Sequence, residues 1–150
     1  MATGTKGIEL IKHFEGFRAN PYLCPASIPT IGFGATYYTN GKKVTLQDKP
    51  ITEAEAIELL KKMLFSFENA VITSCNKPLN QNQFDALVCF TYNLGAGNLK
   101  SSTLLKKVNA NPNDATIKNE FMKWTKASGK VLAGLVARRE AESKLYFTAI

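Results

Sequence analysis

Glu15 is the residue of this chain whose type and position best suit acid–base chemistry. It is expected to be the last residue of a short helix over residues 5–15, because the Gly16 that follows it is a common helix stop. The C-terminal end of a helix is its negative end, so a carboxyl group there is expected to keep its proton near neutral pH. Such a donor could protonate the leaving oxygen in cleavage of a glycosidic bond. Pairing with Arg18 would oppose this, and an ordinary exposed glutamate is the alternative.

The histidine and cysteine content excludes several other kinds of site. His13 is the only histidine, so a metal hydrolase or a Ser-His-Asp hydrolase would depend on one imidazole, and we expect a structural role for it. The three cysteines, Cys24, Cys75 and Cys89, are an odd number without a C-x-x-C pair, which argues against a disulfide framework and a zinc site. No metal and no cofactor are expected, and Cys75 and Cys89 are expected to be inert.

Residues 17–50 have the composition of a small β lobe. They combine several glycines and prolines with tyrosine and threonine. The pair Asn40-Gly41 stands between two stretches, 35–39 and 42–46, and predicts a hairpin with a two-residue turn.

A long amphipathic helix is predicted to follow this lobe. Thr52 and Glu55 form a capping box at its start, and the helix is expected to end before Pro78. Its apolar stripe consists of residues spaced three and four apart: Ile57, Leu60, Leu64, Phe67 and Val71. Four further helices are predicted beyond it: from Asn80 to Gly95, over 102–108, from Asn113 or Asp114 through Trp124, and over 134–147.

These elements predict an α+β protein that is mainly helical and bilobal. A single domain, residues 1–150, would contain a small mixed lobe at about 15–50, a connecting helix at about 53–74 and a helical lobe at about 79–150. The composition, 45% hydrophobic and 21% charged, is that of an ordinary globular domain.

The spacing of Glu15, Cys24 and Thr30 resembles a known signature. Eight residues separate Glu15 from Cys24, and five separate Cys24 from Thr30, which lies in the run Pro29-Thr30-Ile31-Gly32-Phe33-Gly34. This spacing resembles the signature of the phage-type lysozymes, glycoside hydrolase family 24. In that signature a glutamate is followed after eight residues by an aspartate or cysteine, and after five more by a threonine in a T-I-G-aromatic-G run. The preceding Leu10-Ile11-Lys12-x-Phe14-Glu15-Gly16 is also similar to that family.

The resemblance extends over nearly the whole chain. Similar fragments follow in the order in which the family has them: 83–87, 92–95, 102–105, Trp124 and 129–139. Each fragment alone is weak, but their order and spacing together are specific.

The resemblance implies a lysozyme-like fold and hydrolysis of the β-1,4 bond between N-acetylmuramic acid and N-acetylglucosamine in peptidoglycan. It implies that Glu15 protonates the glycosidic oxygen, that Thr30 helps to hold the attacking water and that Cys24 takes the place of the second catalytic group. It also implies a set of substrate-binding residues: Gly32, Tyr92, Asn93 and Thr103.

Two residues depart from the pattern of familiar relatives. Most relatives have aspartate where this chain has Cys24, and a thiol with an ordinary pKa of about 8.5 is mostly neutral at pH 7. A thiolate would need a positive neighbour, or the thiol would only position water, so inversion and retention both stay open. Many relatives have histidine where this chain has Ala35.

Three alternatives remain beside this interpretation. A lytic transglycosylase needs only one catalytic acid and would cleave the same bond. A catalytically inactive, lysozyme-like binding domain is disfavoured by the intact Glu15. A basic helical module that binds nucleic acid would explain the charge, but no helix-turn-helix or zinc motif supports it.

The formal net charge of +7 lies mostly in residues 100–150, which carry a net charge of +6. A basic segment of this kind is typical of proteins with an anionic partner, here the surface of the cell envelope, and no nucleic acid is expected. The N-terminus lacks the apolar run of a signal peptide. We therefore expect a monomer that stays in the host cytoplasm until a separate membrane-permeabilising protein releases it to the periplasm and cell wall.

Overall fold

The structure, a computed structural model, describes residues 1–150 as seven helices and four short strands. The helices are α1 (Thr5–Glu15), α2 (Glu53–Ser74), α3 (Gln81–Leu94), α4 (Ala96–Ser101), α5 (Thr103–Ala110), α6 (Ile117–Met122) and α7 (Ala133–Tyr146). The strands are β1 (Arg18–Leu23), β2 (Pro29–Gly32), β3 (Lys126–Ala127) and β4 (Lys130–Val131). The predicted class, α+β and mainly helical, is confirmed. None of the helices combines the length and the apolar character needed to span a lipid bilayer.

The chain divides into two compact units. The smaller unit is Lys12–Phe65, and the larger unit consists of Met1–Ile11 together with Ser66–Ile150. In the sequence, the boundaries between the two units therefore fall within α1 and within α2.

An antiparallel pair of strands, β1 and β2, lies in the smaller unit. Arg18 is paired with Gly32 and Tyr22 with Thr30, so the register shifts between Arg18 and Tyr22. Pro21 lies in this stretch and has no amide hydrogen to donate to the ladder. The unit is centred on a cluster of buried apolar residues: Ile31, Ala35, Val44 and Leu59.

The turn around Asn40-Gly41 has three residues instead of the predicted two. The amide of Gly41 donates to the carbonyl of Tyr38 at 3.0 Å, and the amide of Tyr38 donates to the carbonyl of Lys42 at 2.9 Å. Gly41 has a φ of +85°, which glycine adopts without steric cost. The side-chain oxygen of Asn40 accepts from the amide of Lys42 at 2.9 Å, which favours this longer turn. The prediction of a two-residue turn was wrong, and the flanking residues form an isolated bridge in place of strands.

The capping box predicted for α2 is confirmed, and Asn80 caps α3 as predicted, there as part of a second capping box. The amide of Glu55 donates to Thr52 Oγ1 at 3.1 Å, and Glu55 Oε1 accepts from the amide of Thr52 at 3.2 Å. In α3, Asn80 Oδ1 accepts from the amide of Gln83 at 2.8 Å and Gln83 Oε1 accepts from the amide of Asn80 at 3.0 Å. Gly95, with a φ of +92°, follows the last residue of α3 as predicted.

Three charged residues of α7 are buried in the larger unit. Arg139 is 0% exposed, and its Nε lies 2.7 Å from Glu142 Oε1. Arg138 Nε lies 3.3 Å from Glu142 Oε2. The guanidinium of Arg139 also lies over the ring of Phe90 at 5.2 Å and donates to Asn93 Oδ1 at 2.9 Å. Part of the positive charge of the C-terminal third is therefore internal.

Two features of the larger unit were not predicted from the sequence. Helix α4 fills the interval between α3 and α5, and β3 and β4 form a tight hairpin through Ser128 and Gly129, both at positive φ. Helix α6 begins at Ile117, later than predicted, because the carboxylate of Asp114 accepts from the amide of Thr116 at 2.8 Å and holds a turn there. The helix also ends before Trp124.

Candidate active site

Glu15 is the last residue of α1, as the sequence predicted. The helix ends where the amide of Gly16 donates to the carbonyl of Lys12 at 2.9 Å, and Gly16 has a φ of +73°. Strand β1 begins at Arg18, so the chain changes from helix to strand within two residues of Glu15. The Glu15 side chain is half-buried in the smaller unit.

Cys24 lies at the start of the tight turn between β1 and β2. Its amide donates to the carbonyl of Ile28 at 3.1 Å, and its carbonyl accepts from the amide of Ser27 at 2.8 Å. Ser27 adopts a φ of +60°, a left-handed conformation that is uncommon outside glycine. The turn leaves the Cys24 side chain half-exposed.

The pKa of the Cys24 thiol is lowered from its ordinary value. The largest cause is a hydrogen bond with the backbone of Ile28, which outweighs the opposing effect of desolvation. Further hydrogen bonds with the backbone of Ala26 and the side chain of Thr30 act in the same direction. The expected positive neighbour is therefore replaced by hydrogen-bonding groups of the turn, which favour the thiolate.

Thr30 is buried at the start of β2, with 3% of its surface exposed. Its hydroxyl donates to the carbonyl of Ile28 at 2.8 Å and also forms a hydrogen bond with the Cys24 thiol. The turn between the two strands thus brings Cys24 and Thr30 into contact. Glu15 belongs to the same compact unit.

Arg18, which could pair with Glu15 by its position in the sequence, contacts Tyr22 in the structure. Its guanidinium carbon lies 4.1 Å from the centroid of the Tyr22 ring. Burial raises the pKa of Tyr22; the charge of Arg18 opposes this, while Glu15 and Cys24 raise the pKa further. Tyr22 was not among the residues predicted from the sequence, and no local signal there indicated its contact with Arg18.

Gly32 and Gly34 are explained by backbone conformation. Their φ values are +67° and +98°, a region that side chains disfavour. A Cβ on Gly32 would also lie 3.1 Å from the Cβ of Ala56, so a larger residue would require Ala56 to shift by a few tenths of an ångström. The geometry of Gly32 is accounted for without a ligand, and its substrate-binding role stays a prediction.

The other three expected substrate-binding residues lie in the larger unit. Tyr92 is half-buried at the end of α3 and packs edge-on against Phe67, with 5.2 Å between the ring centroids. Asn93 is exposed, and its side-chain oxygen accepts the hydrogen bond from Arg139. Thr103 is exposed in the first turn of α5.

The remaining residues discussed from the sequence have ordinary surroundings. His13 is exposed beside Phe14, and Ala35 is completely buried in the apolar cluster. Burial raises the pKa of Cys75 to about 11 and that of Cys89 well above its ordinary range, so both thiols are poor nucleophiles. No group of three or more His, Cys, Asp and Glu side chains is arranged to hold a metal ion.

Comparison with known proteins adds an independent finding. The model of the phage lysozyme family matches residues 12–142 of this chain. The endolysin of Bacillus phage B103 is 44% identical over 146 residues, which are 95% of this chain and 52% of that protein. The endolysin of Acyrthosiphon pisum secondary endosymbiont phage 1 is 37% identical over 153 residues, which are 99% of this chain and 100% of that protein.

A solved structure agrees with these relatives. The endolysin from Escherichia coli O157:H7 phage FAHEc1 is 34% identical, superposes with a TM-score of 0.89, and matches 100% of this chain and 96% of its own. The chain spans about half the length of the B103 endolysin and the full length of the second relative. Since the family match includes Glu15, Cys24 and Thr30 and both relatives exceed 30% identity, the chain belongs to the phage lysozyme family.

Proposed function

We propose that this chain is an endolysin, a muramidase that hydrolyses the β-1,4 bond between N-acetylmuramic acid and N-acetylglucosamine in bacterial peptidoglycan. The family match over residues 12–142, which contain the whole smaller unit with Glu15, Cys24 and Thr30, is the observation that carries this proposal. The basic nucleic-acid-binding module is not favoured, because the same match covers most of the basic C-terminal third.

Glu15 acts as the general acid in this proposal. Its carboxyl group protonates the glycosidic oxygen, so that the leaving sugar departs as an alcohol. Its position as the last residue of α1, in the same compact unit as Cys24 and Thr30, supports this role.

Thr30 and Cys24 bind and activate the attacking water in this proposal. The Thr30 hydroxyl has one proton and two neighbours that accept it, the Ile28 carbonyl and the Cys24 sulfur. It therefore retains lone pairs that can accept a hydrogen bond from water. Cys24 supplies a thiolate or a thiol beside the same hydroxyl, and its lowered pKa supports the thiolate as the group that draws a proton from water.

Turbidity loss of permeabilised Gram-negative cells tests the role of Glu15. Glu15→Gln removes the transferable proton but keeps the shape of the side chain, and activity should fall by at least about a hundredfold, the lower end of what general acid catalysis contributes. The matched control is Glu58→Gln in α2, because the Glu58 side chain is 70% exposed and makes only one ion pair, with Lys61. Undiminished lysis by Glu15→Gln would overturn the proposal.

A lytic transglycosylase would clear the same cells, so the products must be weighed. Hydrolysis adds one water to each cleaved bond, whereas transglycosylation leaves an anhydro sugar without added water. We expect product masses that include the water. If sugars with anhydro ends are the main product, the enzyme is a lytic transglycosylase.

The exposed lysines of the larger unit are proposed to draw the enzyme to the anionic cell envelope. With Arg138 and Arg139 buried, the outward charge comes from lysines: Lys100, Lys106, Lys118, Lys126, Lys130 and Lys144. Added salt should slow lysis of permeabilised cells more than it slows digestion of purified glycan strands, because exposed charges are screened. Equal salt dependence for the two substrates would count against this role.

The enzyme is further proposed to act as a monomer that reaches the cell wall with the help of a separate membrane-permeabilising protein. Expressed alone, it should leave intact cells unlysed and should lyse them once the inner membrane is permeabilised. Light scattering that gives a mass of 16.5 kDa would support the monomer.

A further inference from the structure

Strand β1 departs from regular pairing close to the proposed catalytic residues. Its register against β2 shifts between Arg18 and Tyr22. Pro21 cannot donate to the ladder, and the carbonyl of Ala19 accepts its hydrogen bond from the amide of Ile51, at 3.0 Å, outside the pair of strands. The ladder therefore holds this stretch less firmly than a regular strand, and irregularities of this kind re-aim side chains.

Arg18 and Tyr22, at the two ends of this stretch, contact each other. The guanidinium carbon of Arg18 lies 4.1 Å from the centroid of the Tyr22 ring, well within cation–π distance. Arg18 is exposed and Tyr22 is half-buried, so the stack covers one face of the phenol ring from the solvent side. The contact therefore joins the two ends of the stretch in which the register shifts.

Tyr22 in turn lies next to the residues proposed to act in catalysis. It is directly opposite Thr30 in the ladder, an arrangement that places two Cβ atoms about 4.5–5.5 Å apart on one face. Its phenol also interacts electrostatically with Glu15 and with Cys24. The position of Tyr22 therefore affects the acid, the thiol and the hydroxyl together.

We propose that Arg18 and Tyr22 are positioning residues of the catalytic site: the guanidinium stacked on the phenol ring holds β1 so that Thr30 and Cys24 present water to the bond that Glu15 protonates. This inference rests on the proposed function and deepens it. Neither residue needs to touch the reacting atoms. Their effect is on the geometry of the bond-breaking step, and displacements of about 1 Å in such a step cost on the order of a hundredfold in rate.

Steady-state kinetics on soluble, uncrosslinked glycan strands test this role. Tyr22→Leu removes the ring, and kcat should fall about ten- to a hundredfold while KM changes less than about twofold. Tyr22→Phe keeps the ring and the stack, and it should restore kcat to within about threefold of the wild type. Arg18→Gln should lower kcat about three- to tenfold, again with little change in KM.

Matched controls come from the same unit. Tyr37→Leu removes an aromatic side chain that is 50% exposed, and Lys43→Gln removes an exposed positive charge. Both should keep wild-type kcat and KM. Thermal unfolding of each variant shows whether it is folded; should Tyr22→Leu unfold, the exposed Arg18 and the conservative Tyr22→Phe still decide the question.

Several results would overturn the inference. The stacked pair does not position the site if Arg18→Gln is as active as Lys43→Gln. The same follows if Tyr22→Phe is as slow as Tyr22→Leu, or if the variants change only KM. Glu15→Gln is measured in parallel. If it stays fully active, the proposed function fails; if it is inactive while the Arg18 and Tyr22 variants keep their kcat, only this inference fails.

Discussion

The backbone amide of Gly7 in α1 donates a hydrogen bond to Oδ2 of Asp85 in α3 at 3.2 Å, although the two residues are 78 positions apart. Oδ1 of the same carboxylate accepts from the amide of Gly4 at 3.0 Å and from the side chain of Gln81 at 2.6 Å. Asp85 is 1% exposed. It therefore acts as a buried, charged cap for the N-terminus of α1, supplied by another helix.

Asp85→Ala should lower the free energy of unfolding by about 1–3 kcal/mol for each buried amide left without an acceptor. For a protein of this size each kcal/mol lowers Tm by about 2–4 °C, which circular dichroism resolves. The control is Glu58→Ala, because the Glu58 side chain is 70% exposed. Equal Tm values for the two variants would mean that the cap contributes nothing.

Gly7→Ala should destabilise the protein although alanine favours helices. The added Cβ would lie 2.7 Å from Cγ2 of Thr3 and 2.8 Å from Cβ and Cγ of Asp85, distances that force the cap to move. Gly134→Ala in α7 is the matched control, because a Cβ there meets nothing within 4 Å and should raise stability by up to about 1 kcal/mol. Chemical denaturation of both variants should give shifts of opposite sign, and shifts of the same sign would contradict this prediction.

Iodoacetamide should modify Cys24 well before the other two cysteines at pH 7.5. Hydrogen bonds lower the pKa of Cys24, whereas burial raises that of Cys75 to about 11 and that of Cys89 higher still. Because only the thiolate reacts, the fraction of reactive Cys24 is the largest. Peptide mass spectrometry over time measures the order, and lysis should disappear as Cys24 is modified. Modification of Cys75 or Cys89 at an equal rate would show that the turn does not activate Cys24.

Cys24→Asp should keep more lytic activity than Cys24→Ala. A carboxylate can take over the role proposed for the thiolate, whereas a methyl group can neither accept a proton nor bind water. Cys24→Ser keeps a hydrogen-bonding group without an easily formed anion, so its activity should lie between the two. If alanine matches aspartate in turbidity assays, the second catalytic group lies elsewhere.

Glu120 should make stability fall in acid. Burial opposes its ionisation, but Lys123 and Lys107, at 2.9 Å and 3.2 Å, outweigh burial and lower its pKa below the ordinary value. A lowered folded-state pKa means that this stabilisation is complete above the unfolded value of about 4.3 and disappears as the pH falls through the folded value. Glu120→Gln should therefore lose stability at pH 7 and show a flatter decline below about pH 4.3 than Glu58→Gln. If the stability of Glu120→Gln falls in acid as steeply as that of Glu58→Gln, the contacts of Glu120 with Lys123 and Lys107 are not the cause of the acid sensitivity.

Local signals allowed much of the fold to be predicted from the sequence. Gly16 and Gly95 end their helices at positive φ, and the capping boxes that begin α2 and α3 are made within four residues of chain. Such features depend on neighbouring residues, so reading along the chain finds them. The family signature predicts Glu15, Cys24 and Thr30 as site residues by their spacing, and their roles stay a prediction.

Features made by distant residues were missed for the opposite reason. Nothing near Gly7 in the sequence indicates that Asp85 supplies its hydrogen-bond acceptor. Similarly, the contact of Arg18 with Tyr22 was not predicted; it spans the stretch where the register of β1 against β2 shifts. Both features depend on how segments pair in the folded chain, for which a single sequence gives no local signal.

The buried Arg139 has a consequence for the molecular surface as well. Because its guanidinium donates to the side-chain oxygen of the exposed Asn93, it distinguishes the two ends of that amide group. The oxygen has one of its two lone pairs engaged, while the amide nitrogen keeps its donors for an acceptor such as the carbonyl of an N-acetyl group. A buried arginine thus orients an amide group on the surface of the protein.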